Sequence, residues 1–437
     1  MNERRGGAEQ VAWNLFQAYR DVGHRSWLVV GRGRSTDPNV LALSEGGRRG
    51  LRHALAGPGR IADRWRGIES FRYPASHRIP ELPPERPDVV HTHSLHGGYF
   101  DLRALSAWSA RYPVVLTLHD SWLLTGHCSH SLGCERWRTG CGACPDLTIY
   151  PAVRRDATAF NWQRKRDIYA KSRLFVATPS AWLMERVRAS MLAPGIAEAR
   201  VVPNGIDLTT FAPGDRQTAR AALGLPADAH VLLLAGSNVR QSAFKDFEGA
   251  RAAAAHAAER TGQDLVLIVL GDQGATERAG RAEVRFLPFE SAASVVADYY
   301  RAADIYLHAA RVDTFPTTVL QALACGIPVV ASAVGGIPEQ VRSLTSSEGV
   351  PGAERDVATG VLIPPGDPEG MGRAVAELLV DAELRRDLGL NAVADARHRF
   401  GLARQRDAYL GWYHELVDAS AAGRARKAGI SHVASPA

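Results

Sequence analysis

The residues able to do chemistry gather at the ends of short apolar runs. The segment VDTFPTTVLQALACGIPVVASAVGGIPEQV, from Val312, places Asp313 in a loop, Pro316 at a helix opening and Gln321 on that helix's second turn. The N–H groups of Thr317, Thr318 and Val319 would face an anion such as a phosphate, with Asp313 and Gln321 addressing opposite parts of one ligand. The same spacing also suits a capped, buried helix followed by a Gly335-Gly336 turn. Earlier, Gly236, Ser237 and Asn238 close another apolar run, and Lys245 follows in NVRQSAFKDFEGA, where a solvated lysine at a helix start is the alternative. In the first half, His91 and His93 end one run with His96 just beyond, and His119 and Asp120 end the next. Gly6 and Gly7 open a helix whose first turn carries Glu9, an acid that complements the helix dipole.

Four of the five cysteines fall in TGHCSHSLGCERWRTGCGACP, spaced C-x5-C-x6-C-x2-C through Cys128, Cys134, Cys141 and Cys144. This pattern suggests a closed tetrahedral thiolate site, most simply structural Zn²⁺, with His127 and His130 able to replace a thiolate. Two disulfides, an iron–sulfur cluster or plain reduced thiols are the competing readings, the disulfides disfavoured in a reducing compartment. Such a site would order a long loop, with Trp122 and Trp137 as packing or sugar-stacking groups, and Cys325 reads as core.

These side chains need elements to hold them. The 437 residues, 46% hydrophobic and 22% charged, are too many for one core and point to two or three domains. No run is long and apolar enough for a membrane span, and MNERRGGAEQ lacks a signal peptide's apolar core, so the expected compartment is the cytoplasm. The net charge of +6 comes from arginines spread along the chain, lysine standing only at Lys165, Lys171, Lys245 and Lys427, so nucleic acid is not an expected partner. Residues 46–72 carry Arg48, Arg49, Arg52, Arg60, Arg64, Arg66 and Arg72 among Leu51, Leu55, Ile61, Trp65 and Ile68. That composition fits a helix lying on anionic lipid or a solvated face, and Gly57-Pro58-Gly59 argues against one continuous helix.

Apolar strands alternate with helical patterns in both halves. SWLVVG, PDVVHTH, PVVLTLHD and LFVATPS come first, then HVLLLAGS, LVLIVLGD, VRFLPF, DIYLHA, IPVVAS and GVLIPPGD. Near-continuous apolar strands belong to parallel sheets covered on both faces, giving two doubly wound α/β domains whose strand ends face each other across a cleft. The expected divisions are an N-terminal domain over 1–178 with a Cys-rich loop at 127–146, a joint over 179–229 and a second domain over 230–398. A C-terminal helix over 399–419 and a disordered tail over 420–437 follow. The strand that should precede the Gly6-Gly7 turn is absent, so the domain begins one strand short or the recorded chain starts late.

The segments VVPNGIDLTTFAP, DTFPTTVLQALACGIPVVASAVGGIPE and HTHSLHGGYFDL…PVVLTLHDSWLLTGHC resemble the retaining glycosyltransferases of family 4, with the two-domain, Rossmann-like GT-B fold. The resemblance covers nearly the whole chain. It implies transfer of a sugar from a nucleotide diphosphate sugar to a saccharide or lipid-linked acceptor, in cell-surface polysaccharide assembly, with no cofactor required for catalysis. It implies two glutamates eight positions apart, one on the donor sugar and one on the ribose, where this chain has Asp313 and Gln321. Lys245 matches the diphosphate-binding lysine, while Ser237 replaces the partner arginine, with Arg240 a substitute nearby. His119 matches the catalytic-side histidine, and Gly6 and Gly7 match a glycine loop at the donor phosphates. Phe315, Thr317, Thr318 and Val319 complete the donor side; His93, His96 and Asp120 fall on the acceptor side. The departures from the glutamate pair also suit a sugar-nucleotide or glycan-binding protein with weak or no catalysis. A zinc-dependent nucleic-acid binder is the third reading, on charge and cysteines.

Overall fold

The computed structural model describes residues 6–31, 35–43, 51–345 and 351–431, excluding the side chains of 51–56 and 423–431. The chain divides into two units, Met1–Val202 with Gln405–Ala437, and Pro203–Arg404.

In the first unit, α1 (Gly7–Asp21) leads to a two-stranded parallel sheet of β1 (Leu28–Val30) and β2 (Val40–Ala42). After α2 (Leu51–Trp65) comes a four-stranded parallel sheet in the order β3 (Val90–His93), β4 (Val114–Thr117), β5 (Leu174–Thr178), β6 (Ile196–Val201). Between its strands run α3 (Ala104–Ser109), α4 (Thr158–Tyr169) and α5 (Ala181–Arg188). Side chains alternate across the sheet. Val114, Leu116 and Val176 enter one core, while Val115, Phe175 and Ala177 enter another with α1. Because both faces are covered there, the central strands β4 and β5 are buried along their whole length.

In the second unit, α6 (Arg216–Ala222) precedes β7 (His230–Ala235), α7 (Phe247–Thr261) and β8 (Leu265–Leu270). There follow β9 (Glu277–Ala279), β10 (Ala282–Leu287), α8 (Ala293–Ala302), β11 (Ile305–His308) and α9 (Thr317–Ala324). The unit ends with β12 (Val329–Ser332), β13 (Gly360–Ile363), α10 (Pro368–Val380) and α11 (Ala382–Arg399). The seven-stranded sheet runs β13-β12-β11-β7-β8-β10-β9, parallel except for β9. Leu232, Leu234 and Leu267 pack under α7 and α10, and Val231, Leu233 and Ile268 under α8 and α9. Helix starts are fixed by side-chain caps, Asp246 accepting from the Gly249 N–H and Asp367 from that of Gly370. The first strand, β7, lies between β8 and β11, so the winding direction reverses between β7 and β11. In such sheets that reversal opens a ligand crevice at the carboxyl ends of the two strands.

The final helix α12 (Leu402–Ser431) returns to the first unit, burying Tyr409, Trp412 and Leu416 against Val115 and Phe175.

Four expectations change. The joint is shorter than 179–229, because α5 and β6 extend the first sheet to Val202 and α6 packs with α8 in the second unit. The second unit extends past 398 to Arg404, while the closing helix itself belongs to the first unit. That helix continues past 419 to Ser431, through alanines and arginines with strong helix propensity, and 432–437 lie outside the described residues. Finally, α2 runs unbroken through Gly57-Pro58-Gly59, at the cost of the backbone bond that proline cannot donate. Arg48 and Arg49 of the arginine-rich segment lie outside the described residues.

Candidate functional site

At the reversal point of the second unit, Lys245 stands in the segment after β7 and Asp313 in the loop after β11. Lys245 pairs by backbone with Ala310, which brings its side chain to the end of β11. Lys245 Nζ lies 2.6 Å from Asp313 Oδ2 and 3.2 Å from His308 Nε2, and His308 Nε2 lies 3.3 Å from Asp313 Oδ2. Behind them, Tyr306 OH is 3.0 Å from His308 Nδ1. Burial, reinforced by the Lys245 charge, pushes His308 down to about 4. Burial alone would raise the Asp313 carboxyl, but Lys245 and His308 together outweigh it and hold the group far below the usual carboxylate range. The site therefore holds one ammonium, one carboxylate and a neutral imidazole.

The surrounding backbone fixes this arrangement. Gly335, at φ +59°, lies so near the Asp313 loop that a Cβ there would come within 1.8 Å of the Asp313 carbonyl oxygen. Gly336 N–H donates to that same oxygen at 3.1 Å in the turn that follows β12. Pro316 is the N-cap residue of α9 rather than its first turn, and no side chain caps the helix, so its first N–H groups, at Thr317 and Thr318, are available to an anion. Gln321 Oε1 accepts from the buried Tyr300 hydroxyl at 2.8 Å, leaving its amide nitrogen for other partners.

Not every donor-side candidate faces this place. The Phe315 ring is 5% exposed and packs against Phe400, so only its backbone is offered, and the Val319 side chain is likewise core. Ser237 is exposed at the end of β7. Arg240 is committed elsewhere: it donates to Asp272 Oδ1 at 3.2 Å and lies 4.3 Å over the Phe286 ring. His308 was not singled out in the sequence; its signal was its place at the carboxyl end of an apolar strand, like His119.

In the first unit, His93 Nδ1 lies 2.9 Å from His119 Nε2, with the rings stacked at 5.2 Å. His91 packs on His93 and bonds Thr117 Oγ1 at 2.7 Å and the Tyr413 hydroxyl of α12. Burial pushes His119 down to about 4, His91 to about 3 and His93 well below its ordinary value. These rings are neutral hydrogen-bonding groups at pH 7. His96 behaves oppositely: burial would lower it, but Asp120, 2.9 Å away, raises it instead. Gly6 caps α1 where a Cβ would meet the Glu9 carboxylate at 2.3 Å, and Glu9 acts electrostatically on His96. Gly6, Gly7, His96 and Asp120 thus gather at one end of the sheet, while His93 serves His119 from behind.

The four cysteines of the loop each have their own surroundings. Among the described residues no group of three or more His, Cys, Asp or Glu side chains is arranged to hold a metal. Cys141 Sγ accepts from the Gly126 N–H at 3.3 Å, and Cys144 Sγ lies 3.4 Å from His127 Nε2 and donates to the Asp146 carbonyl at 3.3 Å. Burial raises the Cys128 and Cys144 thiols and pushes Cys141 up to about 11. Beneath the loop, fully buried Lys165 donates to the carbonyls of Trp122 at 2.8 Å and Thr125 at 3.2 Å, and pairs with Glu69 Oε2 at 3.1 Å. Trp122 and Trp137 are packing groups, 3% and 1% exposed, and Cys325 is core.

Residues 5–210 match the model for Glycosyltransferase Family 4, and residues 215–395 match that for Glycosyl transferases group 1. A D-inositol 3-phosphate glycosyltransferase of Mycobacteroides abscessus is 35% identical over 79% of this chain and 71% of its own. The chain belongs to glycosyltransferase family 4. Another D-inositol 3-phosphate glycosyltransferase, from Saccharomonospora viridis, is 34% identical over 50% of this chain, which spans about half, 51%, of that relative. A putative colanic acid biosynthesis glycosyl transferase, WcaC of Escherichia coli, is 30% identical over 56% of this chain and 60% of its own. Among solved structures, Anabaena HepE in complex with UDP-glucose aligns with a TM-score of 0.62 and 18% identity, covering 94% of this chain and 97% of HepE. That likeness gives this family 4 member two α/β domains of the GT-B type.

Proposed function

We propose that the chain transfers a sugar from a nucleotide diphosphate sugar to a saccharide or lipid-linked saccharide, with retention of configuration, in cell-surface polysaccharide assembly. The observation that carries this reading is the meeting of Lys245, Asp313 and the uncapped start of α9 at the reversal point of the second sheet. WcaC's role in colanic acid biosynthesis and the UDP-glucose held by HepE support the polymer and the donor class.

The donor's diphosphate lies at the N–H groups of Thr317 and Thr318, and Lys245 turns to it from Asp313. As the glycosidic bond breaks, the diphosphate gains negative charge, and a preorganised ammonium and helix start stabilise that charge more than the ground state. Asp313, freed of its partner, accepts hydrogen bonds from the sugar's hydroxyls, and the Gln321 amide meets the ribose. The departing diphosphate takes the acceptor's proton on the face it leaves. Within the first unit, neutral His119, bonded to His93, offers a hydrogen bond without supplying a charge. This route asks no metal of the protein. Structural zinc in the cysteine loop would be held by Cys128, Cys134, Cys141 and Cys144, and metal analysis of the protein against Cys128→Ser and Cys144→Ser tests that separately.

The working place in this reading is the cytoplasmic face of a membrane. Among the described residues no helix is long and apolar enough to cross one. On α2, however, Ile61 and Trp65 are 62% and 58% exposed beside Arg64 and Arg66, a composition suited to peripheral contact with anionic lipid. Incubation of the purified chain with a panel of nucleotide sugars, scoring nucleoside diphosphate release with and without acceptor extracts, tests the activity. A binding-only reading is favoured by Gln321, whose oxygen is already used by Tyr300; saturable donor binding with no release would select it.

A further inference from the structure

His308 is fully buried at the carboxyl end of β11, a strand that lies between β7 and β12. Its strand neighbours Ile305 and Leu307 are apolar and buried, and an imidazole among them is unfavourable unless its nitrogens find partners. Both do. Nδ1 lies 3.0 Å from the Tyr306 hydroxyl, and Nε2 lies 3.3 Å from Asp313 Oδ2 and 3.2 Å from Lys245 Nζ.

We propose that His308 is a positioning residue for Asp313, its Nε2 proton holding the carboxylate in place when the donor's diphosphate draws Lys245 away. The placing of the ring's proton is the first support. Burial and the Lys245 charge hold His308 at about 4, so at pH 7 the ring is neutral and carries one proton. An ammonium only donates and a carboxylate only accepts, so Nε2 serves Asp313 when protonated and Lys245 when bare. The bond made by the other nitrogen decides which. The Tyr306 hydroxyl also reaches the Ala235 carbonyl, at 3.5 Å, a poorer acceptor position than Nδ1 at 3.0 Å. Tyr306 therefore donates to Nδ1, which leaves the ring's proton on Nε2, directed at Asp313.

The second support is the difference between the two partners of Asp313. Lys245 comes from the segment after β7 and is the cation that the diphosphate needs. His308 is buried with Tyr306 behind it and stays when Lys245 turns. The Gly336 N–H already fixes the Asp313 backbone through its carbonyl, so a donor on Oδ2 removes the freedom that remains, rotation of the side chain. The same backing continues to the other end of the site. The Tyr306 ring lies 5.5 Å from that of Tyr300, whose hydroxyl donates to Gln321 Oε1 at 2.8 Å. Asp313 and Gln321 are thus held from behind by one run of buried rings. The part His308 plays in transfer rests on the donor reading given above, whereas the placing of its proton does not.

The test keeps these apart. Nitrogen-15 NMR of the intact chain labelled in histidine reads the tautomer, the His308 signal being identified by its loss in His308→Gln and its shift in Tyr306→Phe. A proton on Nε2 at pH 7 is the expected result; a neutral ring with its proton on Nδ1 would overturn the proposal. Lys245→Met removes the ammonium as the diphosphate would, and there too the Nε2 proton should remain; its loss would overturn the proposal. Nucleoside diphosphate release is then compared in variants whose thermal midpoints show them folded. His308→Leu should lower kcat about ten- to a hundredfold, the scale of one hydrogen bond to a charged group. Donor KM should stay within about threefold, since the diphosphate's own contacts remain. His308→Gln sets an amide N–H where the Nε2 proton stood and should recover most of the loss; equal losses in the two variants would overturn the proposal. Absence of release by the intact chain from every donor would contradict the transfer reading instead, and the two spectra would still decide whether His308 holds Asp313.

Discussion

Lys245 Nζ lies 2.6 Å from Asp313 Oδ2, although 67 residues separate them in the chain, because β7 and β11 are neighbours at the reversal point of the second sheet. In the proposed reaction each neutralises the other until a diphosphate and a sugar arrive to take their places. Lys245→Met should therefore lower kcat by about 10²–10³-fold, the range seen when one preorganised group on a developing anion is removed. Acceptor KM should change little. Steady-state kinetics with donor and acceptor varied in turn would show this, and a loss confined to acceptor KM would contradict it.

Gln321 accepts from Tyr300 and can offer a ligand only its amide. In Gln321→Glu the carboxylate could accept from Tyr300 and a ribose hydroxyl together. The expected result is a donor KM about fivefold lower with kcat unchanged, corresponding to about 1 kcal/mol of uniform binding. Unchanged donor KM would show that the residue does not reach the nucleoside.

The buried histidines should make the fold acid-sensitive. His91 is held at about 3, His119 and His308 at about 4, and His93 well below its ordinary value, in each case chiefly by burial. The unfolded chain titrates these near 6.5, so below that pH it binds more protons than the folded chain. Stability present above about pH 6.5 is lost as pH falls toward 4, at up to about 1.4 kcal/mol per unit for each histidine. His96, raised by Asp120, works in the opposite direction and offsets part of the loss. Urea midpoints at pH 7 and 5 should fall clearly; a midpoint unchanged or higher at pH 5 would count against neutral buried rings.

Lys165 holds the cysteine loop from beneath through two carbonyls and Glu69. Lys165→Met keeps much of the volume but strands those acceptors, and should cost about 3 kcal/mol or more of stability. Denaturant unfolding followed by tryptophan fluorescence measures it, since the Lys165 ammonium also lies 3.6 Å over the Trp122 ring. A loss below about 0.5 kcal/mol, the scale of an ordinary surface change, would show that the loop is held by other contacts.

Ten strands were legible as short apolar runs, most plainly those buried on both faces, as LVLIVL in β8 shows. The three missed lacked that signal: β2, VLA, is short and nowhere fully buried, β6, IAEARV, is a half-exposed edge strand and β9, ERA, a short antiparallel one. Asp313, Lys245 and His119 were legible as polar residues at strand ends. His308 sat inside DIYLHA and read as strand, and only the β7–β11 pairing shows what it faces. The return of α12 to the first unit could not be read at all, since Tyr409 and Trp412 mark a buried face without naming its partner. The cysteine spacing speaks for a metal, and it could not show that Cys141 and Cys144 also bond backbone and a histidine.

The most direct measurement is nucleoside diphosphate release by the purified chain across a panel of nucleotide sugars, beside Asp313→Ala and Lys245→Met. Release from at least one donor, stimulated by acceptor and reduced at least about a hundredfold in both variants, is the predicted result. Release that survives both substitutions, or none from any donor with acceptor present, would contradict the account.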